Sequence, residues 1–386
     1  MTTHPIKFRH GIKNSIILLC VFFFGLGFFN CSDETPLQDD ISSEVCLGIE
    51  CDKDSEESVL PIAQIPFVTK WDIKNAGDKI KLPLPKENAD GFQFEYDFTI
   101  DWGDGSPKAQ VRSYDDVDAT HVFLEPDIYV VSIEGKIEAF HFGLEPIDFN
   151  PARNWLLEVV SLGTVGLKSL RRAFSECSQL SKVDFKGADL SEVTDMYGIF
   201  WNARALRLVD LSVIKDKDLS KVENMYSAFK FATSLVEVDF NGLDLKSVTD
   251  ISHLFKSASR LEFINFDNTD LRSVANTSQM FVTTKVTEVD FSKVKNQDLS
   301  KLSSAYRMFS GTSRLNKANF NNVNLSMLSD ASEMFKNSAI KIIDFNGAVF
   351  PGIFSSVVFD DIFLESSQNI KIYCSYDELF NQPCIN

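Results

Sequence analysis

From about residue 155 onward the apolar positions recur with a long period. The phenylalanines that close LRRAF, MYGIF, MYSAF, ISHLF, TSQMF, AYRMF and ASEMF are Phe174, Phe200, Phe229, Phe255, Phe281, Phe309 and Phe335, in steps of 26, 29, 26, 26, 28 and 26 residues. A sustained period of this length marks a solenoid, in which each unit exposes an apolar face until its neighbour covers it. Each unit has two patterned pieces. The first, L-x-x-V-x-F, as in Leu180/Val183/Phe185 and Leu235/Val238/Phe240, ends with period two and predicts a short strand. The second sets Val193, Met196 and Phe200 at i, i+3 and i+7, and again Val222/Met225/Phe229 and Val248/Ile251/Phe255, which predicts one apolar stripe on a short helix. Thr194 and Thr249 stand where a helix start takes a hydroxyl cap. Upstream, FQFEYDFTIDWGDGS places Phe92, Phe94, Tyr96, Phe98 and Ile100 on one face before a glycine turn, and DIYVVSIEGKI alternates again. These runs predict a small all-β domain. The expected fold class is mixed: an N-terminal all-β domain over 66–150, an α/β solenoid of short parallel strands and short helices over 151–350, and a cap over 351–386.

A second rhythm overlies the first. From the last polar residue of each strand to the next marker phenylalanine the count is 16, 19, 16, 16, 19 and 16, so a three-residue insertion returns every third unit. A block of about eighty residues is duplicated, and the loops with Ile214 to Lys217 and Lys295 to Gln297 are expected to protrude. With the valine and phenylalanine of each strand turned inward, Asp184, Asp210, Asp239, Asn265, Asp290, Asn319 and Asp344 form one outward column. Carboxylates about 4.8 Å apart repel, so either a cation sits there or the side chains cap the following turns. Asparagine at two positions keeps the hydrogen bond without the charge, which favours capping. The next column contains Lys182, Leu208, Glu237, Phe263, Glu288, Lys317 and Ile342. Leu208, Glu237, Phe263, Glu288 and Ile342 are the candidate partner-binding residues, unless the apolar three face a neighbouring loop as core.

The N-terminus bears on compartment. Lys7, Arg9 and Lys13 precede a charge-free run from Ile16 to Phe29, which as a helix reaches only about 21 Å. That is short of the roughly 30 Å hydrocarbon layer, so residues 1–30 are expected to be a signal peptide. Between residues 32 and 65 ten acidic side chains face the single Lys53, which predicts an extended tether over 31–65. Net charge is −17, and such a surplus of carboxylates opposes a nucleic-acid partner. Cys46 with Cys51 and Cys374 with Cys384 are the plausible local disulfides of an exported chain, leaving Cys177 as a buried thiol.

Several of these motifs carry resemblances. Cys31, directly after the apolar run and opening CSDETPLQDD, resembles the join of bacterial lipoproteins, where that cysteine is lipidated. TIDWGDGS, with THVFLEPDIYVVSIEG downstream, resembles the polycystic-kidney-disease (PKD) type of β-sandwich. DLSEVTDMYGIFWNARAL and DLSKVENMYSAFKFATSL resemble the repeat of BspA-like leucine-rich-repeat surface proteins. The resemblance implies leucine-rich-repeat coils, display on the outer membrane or cell surface through a lipid anchor, and, for some members, adhesion to host matrix or other cells. In the PKD-like reading Trp102 fills the core; Asp101 and Asp104 either hold Ca²⁺ or cap the turn.

Catalytic chemistry finds no pattern to stand on. There is no G-x-S-x-G, no glycine-rich phosphate loop, no H-E-x-x-H and no C-x-x-C, so no enzyme, cofactor or metal is expected. The expected function is a non-catalytic protein-binding or adhesion module working through the solenoid. The alternatives are a carbohydrate-binding surface protein and a structural spacer with no discrete ligand.

Overall fold

A computed structural model describes residues 64–142, 151–214, 216, 218–352, 357–375, 378–379 and 382–385. The expectations for the signal peptide, Cys31, the tether up to residue 63, and the pair Cys46 and Cys51 lie outside these residues.

The N-terminal part is built from β1 (Phe67–Asp72), β2 (Lys79–Lys81), β3 (Tyr96–Asp101), β4 (Ala109–Val111), β5 (Thr120–Val122) and β6 (Ile128–Ile137). Antiparallel β1 and β3 flank β6, β4 pairs with the far side of β3, and β2 pairs separately with β5. Alternation sends Phe67 and Trp71 of β1 and Tyr96, Phe98 and Ile100 of β3 into one core with Ile80 of β2. Phe92 and Phe94 precede β3; Phe94 is half-buried against the same core, whereas Phe92 is 50% exposed. A Cβ at Gly103 (φ +79) would lie 2.3 Å from the Val130 carbonyl oxygen, so the WGDG turn requires glycine there.

The boundary between this part and the solenoid is a strand pairing. Strand β7 (Leu156–Ser161) runs antiparallel to β1 on one side and parallel to β8 (Lys182–Val183) on the other. The N-terminal sheet, ordered β4-β3-β6-β1-β7-β8, therefore covers the first coil. Strands β9 (Leu208–Asp210), β10 (Glu237–Asp239) and β11 (Phe263–Asn265) form a second sheet, parallel and in register. A third contains β12 (Glu288–Asp290), β13 (Lys317–Asn319), β14 (Ile342–Phe345) and β15 (Lys371–Cys374), and ends on β16 (Glu378–Leu379) and β17 (Gln382–Ile385), with β17 next to β15. A disulfide between Cys374 and Cys384 ties β15 to β17, and Cys177 is free and buried.

The expected short helices are absent: among the described residues there is no α-helix, and the solenoid is almost entirely β and turn. The segment from Leu190 to Leu206 is a chain of tight turns. Val193 N donates to Leu190 O, Ile199 N to Met196 O and Ala203 N to Phe200 O. Between them Met196, Gly198, Phe200 and Asn202 donate their amides to the carbonyls of Asn224, Tyr226, Ala228 and Lys230 in the next coil. Such turns bring an inward side chain every three or four residues and so imitate a helical stripe. Thr194 and Thr249 are not helix caps. Their hydroxyls donate, at 3.4 Å each, to the carbonyls of Lys168 and Glu223 in the preceding coil. The residues two before and two after each marker phenylalanine are left-handed, as Ser227 and Phe231 are around Phe229 and His253 and Ser257 around Phe255. For non-glycine residues this costs roughly 1 kcal/mol or more each, which the stack must offset.

It does so with two columns of rings. The marker phenylalanines stack from Phe174 to Phe335 with centroids 5.3–5.7 Å apart, and Phe363 extends the column at 5.8 Å, one coil beyond the repeat visible in the sequence. Phe240, Phe266, Phe291, Phe320 and Phe345 form the second column, which is interrupted by Leu211 between Phe185 and Phe240. Ile214, expected to protrude, is buried.

Two stability measurements follow from this packing. Truncating Phe255 to alanine leaves a cavity between two rings and is expected to cost about 3 to 5 kcal/mol in urea unfolding; a loss under about 1 kcal/mol contradicts the stack. His141 is 4% exposed with no hydrogen-bond partner for either ring nitrogen among the described residues, and burial, then Arg171 and Arg172, lower its pKa to about 3. Between the unfolded value near 6.5 and that folded value, the unfolded chain binds a proton that the folded chain does not. Stability is therefore expected to fall as pH drops through this window, by up to about 1.4 kcal/mol per unit, and His141→Gln to flatten the slope; equal slopes in the two proteins refute the assignment.

Candidate functional site

The outward acidic column of the strand face is a turn-capping column. Oδ1 of Asp184, Asp210, Asp239, Asn265, Asp290, Asn319 and Asp344 each accepts from the backbone amide two residues on, at 2.8–3.1 Å. Asn265 and Asn319 make the same bond as the aspartates. Two further ladders of the coil repeat the device: Asp218 caps Ser220, and Asp195, Asn224 and Asp250 cap Tyr197, Tyr226 and Ser252. The same holds at the WGDG turn. Asp101 accepts from Gly103 N, and Asp104 from Ser106 N and, at 2.7 Å, from His121 Nε2. Burial acts to raise Asp104, but the hydrogen bonds from Ser106 and His121 outweigh it and hold the carboxyl at about 2. Among the described residues no group of three or more His, Cys, Asp or Glu side chains is placed to hold a metal.

The next column carries the surface. Leu208 is 59% and Phe263 55% exposed, so neither belongs to the core. In register between them lies exposed Glu237, which forms no ion pair among the described residues. Glu288 is also exposed but pairs with Lys317 at 3.4 Å, and Ile342, beside Lys317, is half-buried. The structure thus brings Leu208, Glu237 and Phe263 into one run and separates Glu288 and Ile342 from it by a break in the sheet.

The parallel pairing is interrupted twice, between β8 and β9 and between β11 and β12, each time just before a coil with the three-residue insertion. The first junction opens a concavity of about 670 Å³ whose lining includes Lys186, Arg207, Leu208 and Val213 together with the turn-capping Asp184 and Asp210. The second is smaller, about 420 Å³. There Lys293 lies 3.7 Å from Asp267 of the preceding coil and 3.8 Å from Asp290 of its own, so its charge is paired across the junction. In the first junction Val213 occupies the place of Lys293 and Lys186 that of Asp267, so no ion pair can form. The second ring column also lapses here, with Leu211 where the other long coil has Phe291. Lys186 and Arg207 form no ion pair among the described residues, and Val213 is 38% exposed. An apolar floor flanked by unpaired cations can take an extended segment bearing aliphatic and acidic side chains. The sequence alone does not reveal Lys186, Arg207 and Val213 as a group; the available signal is the insertion combined with the loss of one phenylalanine.

No curated protein matches the chain. Residues 168–294 and, overlapping, 261–347 match the model of a family described as a Mycoplasma protein of unknown function, DUF285, so the part of the chain that resembles that family is the coil stack itself.

Proposed function

We propose that the protein is a non-catalytic, surface-displayed binding module that engages a protein partner through the strand face, centred on the junction between β8 and β9. The reading rests on one contrast: of two equivalent junctions, the second is smaller and bridged by the ion pairs of Lys293, whereas the first leaves Lys186 and Arg207 without an ion pair among the described residues beside exposed Leu208 and Val213. Leu208, Glu237 and Phe263 extend this surface across three strands. Exposed apolar side chains beside unpaired charges are the usual anchors of a protein interface. The lipidated Cys31 and the acidic tether supply the display in this proposal, and Cys31→Ala is expected to release the chain from the membrane fraction.

Attachment to immobilised matrix proteins and to cells tests the binding surface. Leu208→Ser, Arg207→Glu and Phe263→Ala are each expected to weaken attachment about tenfold while leaving the melting temperature unchanged, because these side chains contribute little to the core. If all three variants attach as well as the parent, the strand face is not the binding surface. If Phe263→Ala instead melts as early as Phe255→Ala, Phe263 is core.

A further inference from the structure

The marker-phenylalanine segments carry a second surface, made by side chains one coil apart. Arg171, Tyr197 and Tyr226 stand three residues before their markers, Arg172 and His253 two before, and Trp201, Lys230 and Lys256 one after; all are half-buried. They form a contiguous array. The Arg171 guanidinium lies 4.2 Å from the centre of the Tyr197 ring, Tyr197 stacks on Tyr226 at 5.3 Å, and the Tyr226 hydroxyl meets His253 Nδ1 at 2.8 Å. Arg172 covers the Trp201 ring at 4.8 Å.

The charge around Lys230 and Lys256 is unbalanced among the described residues. Lys230 has no carboxylate partner among the described residues, and burial together with neighbouring Lys256 pushes its ammonium below the ordinary lysine value. His253 is lowered to about 4 by burial and then by Lys256 and Lys230, with only Asp250 opposing. Lys256 donates to Gln279 Oε1 at 2.7 Å, an uncharged acceptor. The nearby carboxylates of Asp195 and Asp250 are engaged in capping Tyr197 N and Ser252 N, and Asp195 also meets Arg171 at 3.1 Å. Later coils neutralise the same positions internally: Glu333 pairs with Arg307 at 2.8 Å and with Lys336 at 2.7 Å. A repulsive, partly desolvated lysine pair in a chain of net charge −17 is a cost that an anionic partner removes. Trp201 Nε1 and Ser227 Oγ, in the same array, also have no hydrogen-bond partner among the described residues.

The rings identify the class of anion. Tyr197 and Tyr226 stack on each other, Arg171 lies over Tyr197, His253 meets Tyr226 edge-on and Arg172 lies over Trp201, so these contacts take up faces on which the bases of a nucleic acid would stack. On the marker-phenylalanine segments of these coils Phe231, at 37%, is the one large apolar side chain exposed among the described residues, Leu208 and Val213 standing on the strand face, which leaves a peptide without anchors on the turn face. What is presented is phenol edges and cations repeated at coil spacings of about 4.8 Å, suited to a polyhydroxylated chain with regularly placed negative groups. We propose that the turn face of the coils marked by Phe174 to Phe255 binds a linear acidic polysaccharide, through Arg172, Lys230 and Lys256 and the phenol edges of Tyr197 and Tyr226.

The full chain, titrated with hyaluronate, heparin, poly-L-glutamate and single-stranded DNA, tests this. At least one polysaccharide is expected to bind, more weakly as salt rises, and at least about tenfold more tightly than poly-L-glutamate or DNA. The comparison of hyaluronate with heparin tells carboxylate from sulfate. The Lys230→Gln/Lys256→Gln double variant is expected to lose about tenfold in affinity without melting earlier, since the pair it removes is repulsive. Tyr197→Phe keeps the ring stack, and is expected to lose affinity severalfold at an unchanged melting temperature. The proposal is overturned if neither polysaccharide binds, if poly-L-glutamate or DNA binds as tightly, or if both variants bind like the parent.

Discussion

A coil without a helix has to find partners for its backbone amides in the coils on either side. In this solenoid that constraint governs the rest. Alternate amides of each marker segment bond across to the next coil, and amides between them close tight turns, which pairs backbone donors that would each cost about 1 to 3 kcal/mol if buried unpaired. Keeping that alternation requires left-handed residues on both sides of every marker phenylalanine, and the strain they carry is offset by the ring columns stacked between coils. The same constraint explains the ends. The first coil is covered by pairing β7 with β1, and the last by β17 and β16, held by the disulfide between Cys374 and Cys384.

Much of the chain's acidity also follows from backbone pairing. Where strands and turns meet, an Asp or Asn side chain takes the amide that the coil geometry leaves over, on each of the ladders. These carboxylates are engaged locally and are poor candidates for ligand or metal binding. Recognition then falls to positions exempt from that duty: the open junction with Leu208, Val213, Lys186 and Arg207 on the strand face, and the array around Lys230 and Lys256 on the turn face. Both are marked by comparison within the molecule, since Lys293 and Glu333 neutralise the corresponding places further along.

The period, the inward strand residues and the capping column are legible in the sequence because each depends on spacing within one unit. The exposure of Leu208 and Phe263 is legible for the same reason, through period-two alternation. The helix expectation fails because a run of three-residue turns spaces Val193, Met196 and Phe200 as a helix does; only the hydrogen-bond partner, a few residues back or a coil away, separates the two. Phe363 escapes notice because its segment, although it keeps Phe359 and Ile362, has Ser356 where the earlier segments open on leucine or valine. The continuity of β1 with β7, the junction and the Tyr197–Tyr226–His253 array all depend on residues that meet only after folding. Such contacts leave little trace in a single chain.

Far-UV circular dichroism of the purified chain tests the central claim most directly, because leucine-rich coils with helices and coils of turns differ in helix content and in little else visible from the sequence. The account predicts a β-type spectrum without the paired minima of α-helix, and loss of that spectrum in a single cooperative transition. A clear helical double minimum in the folded protein contradicts it.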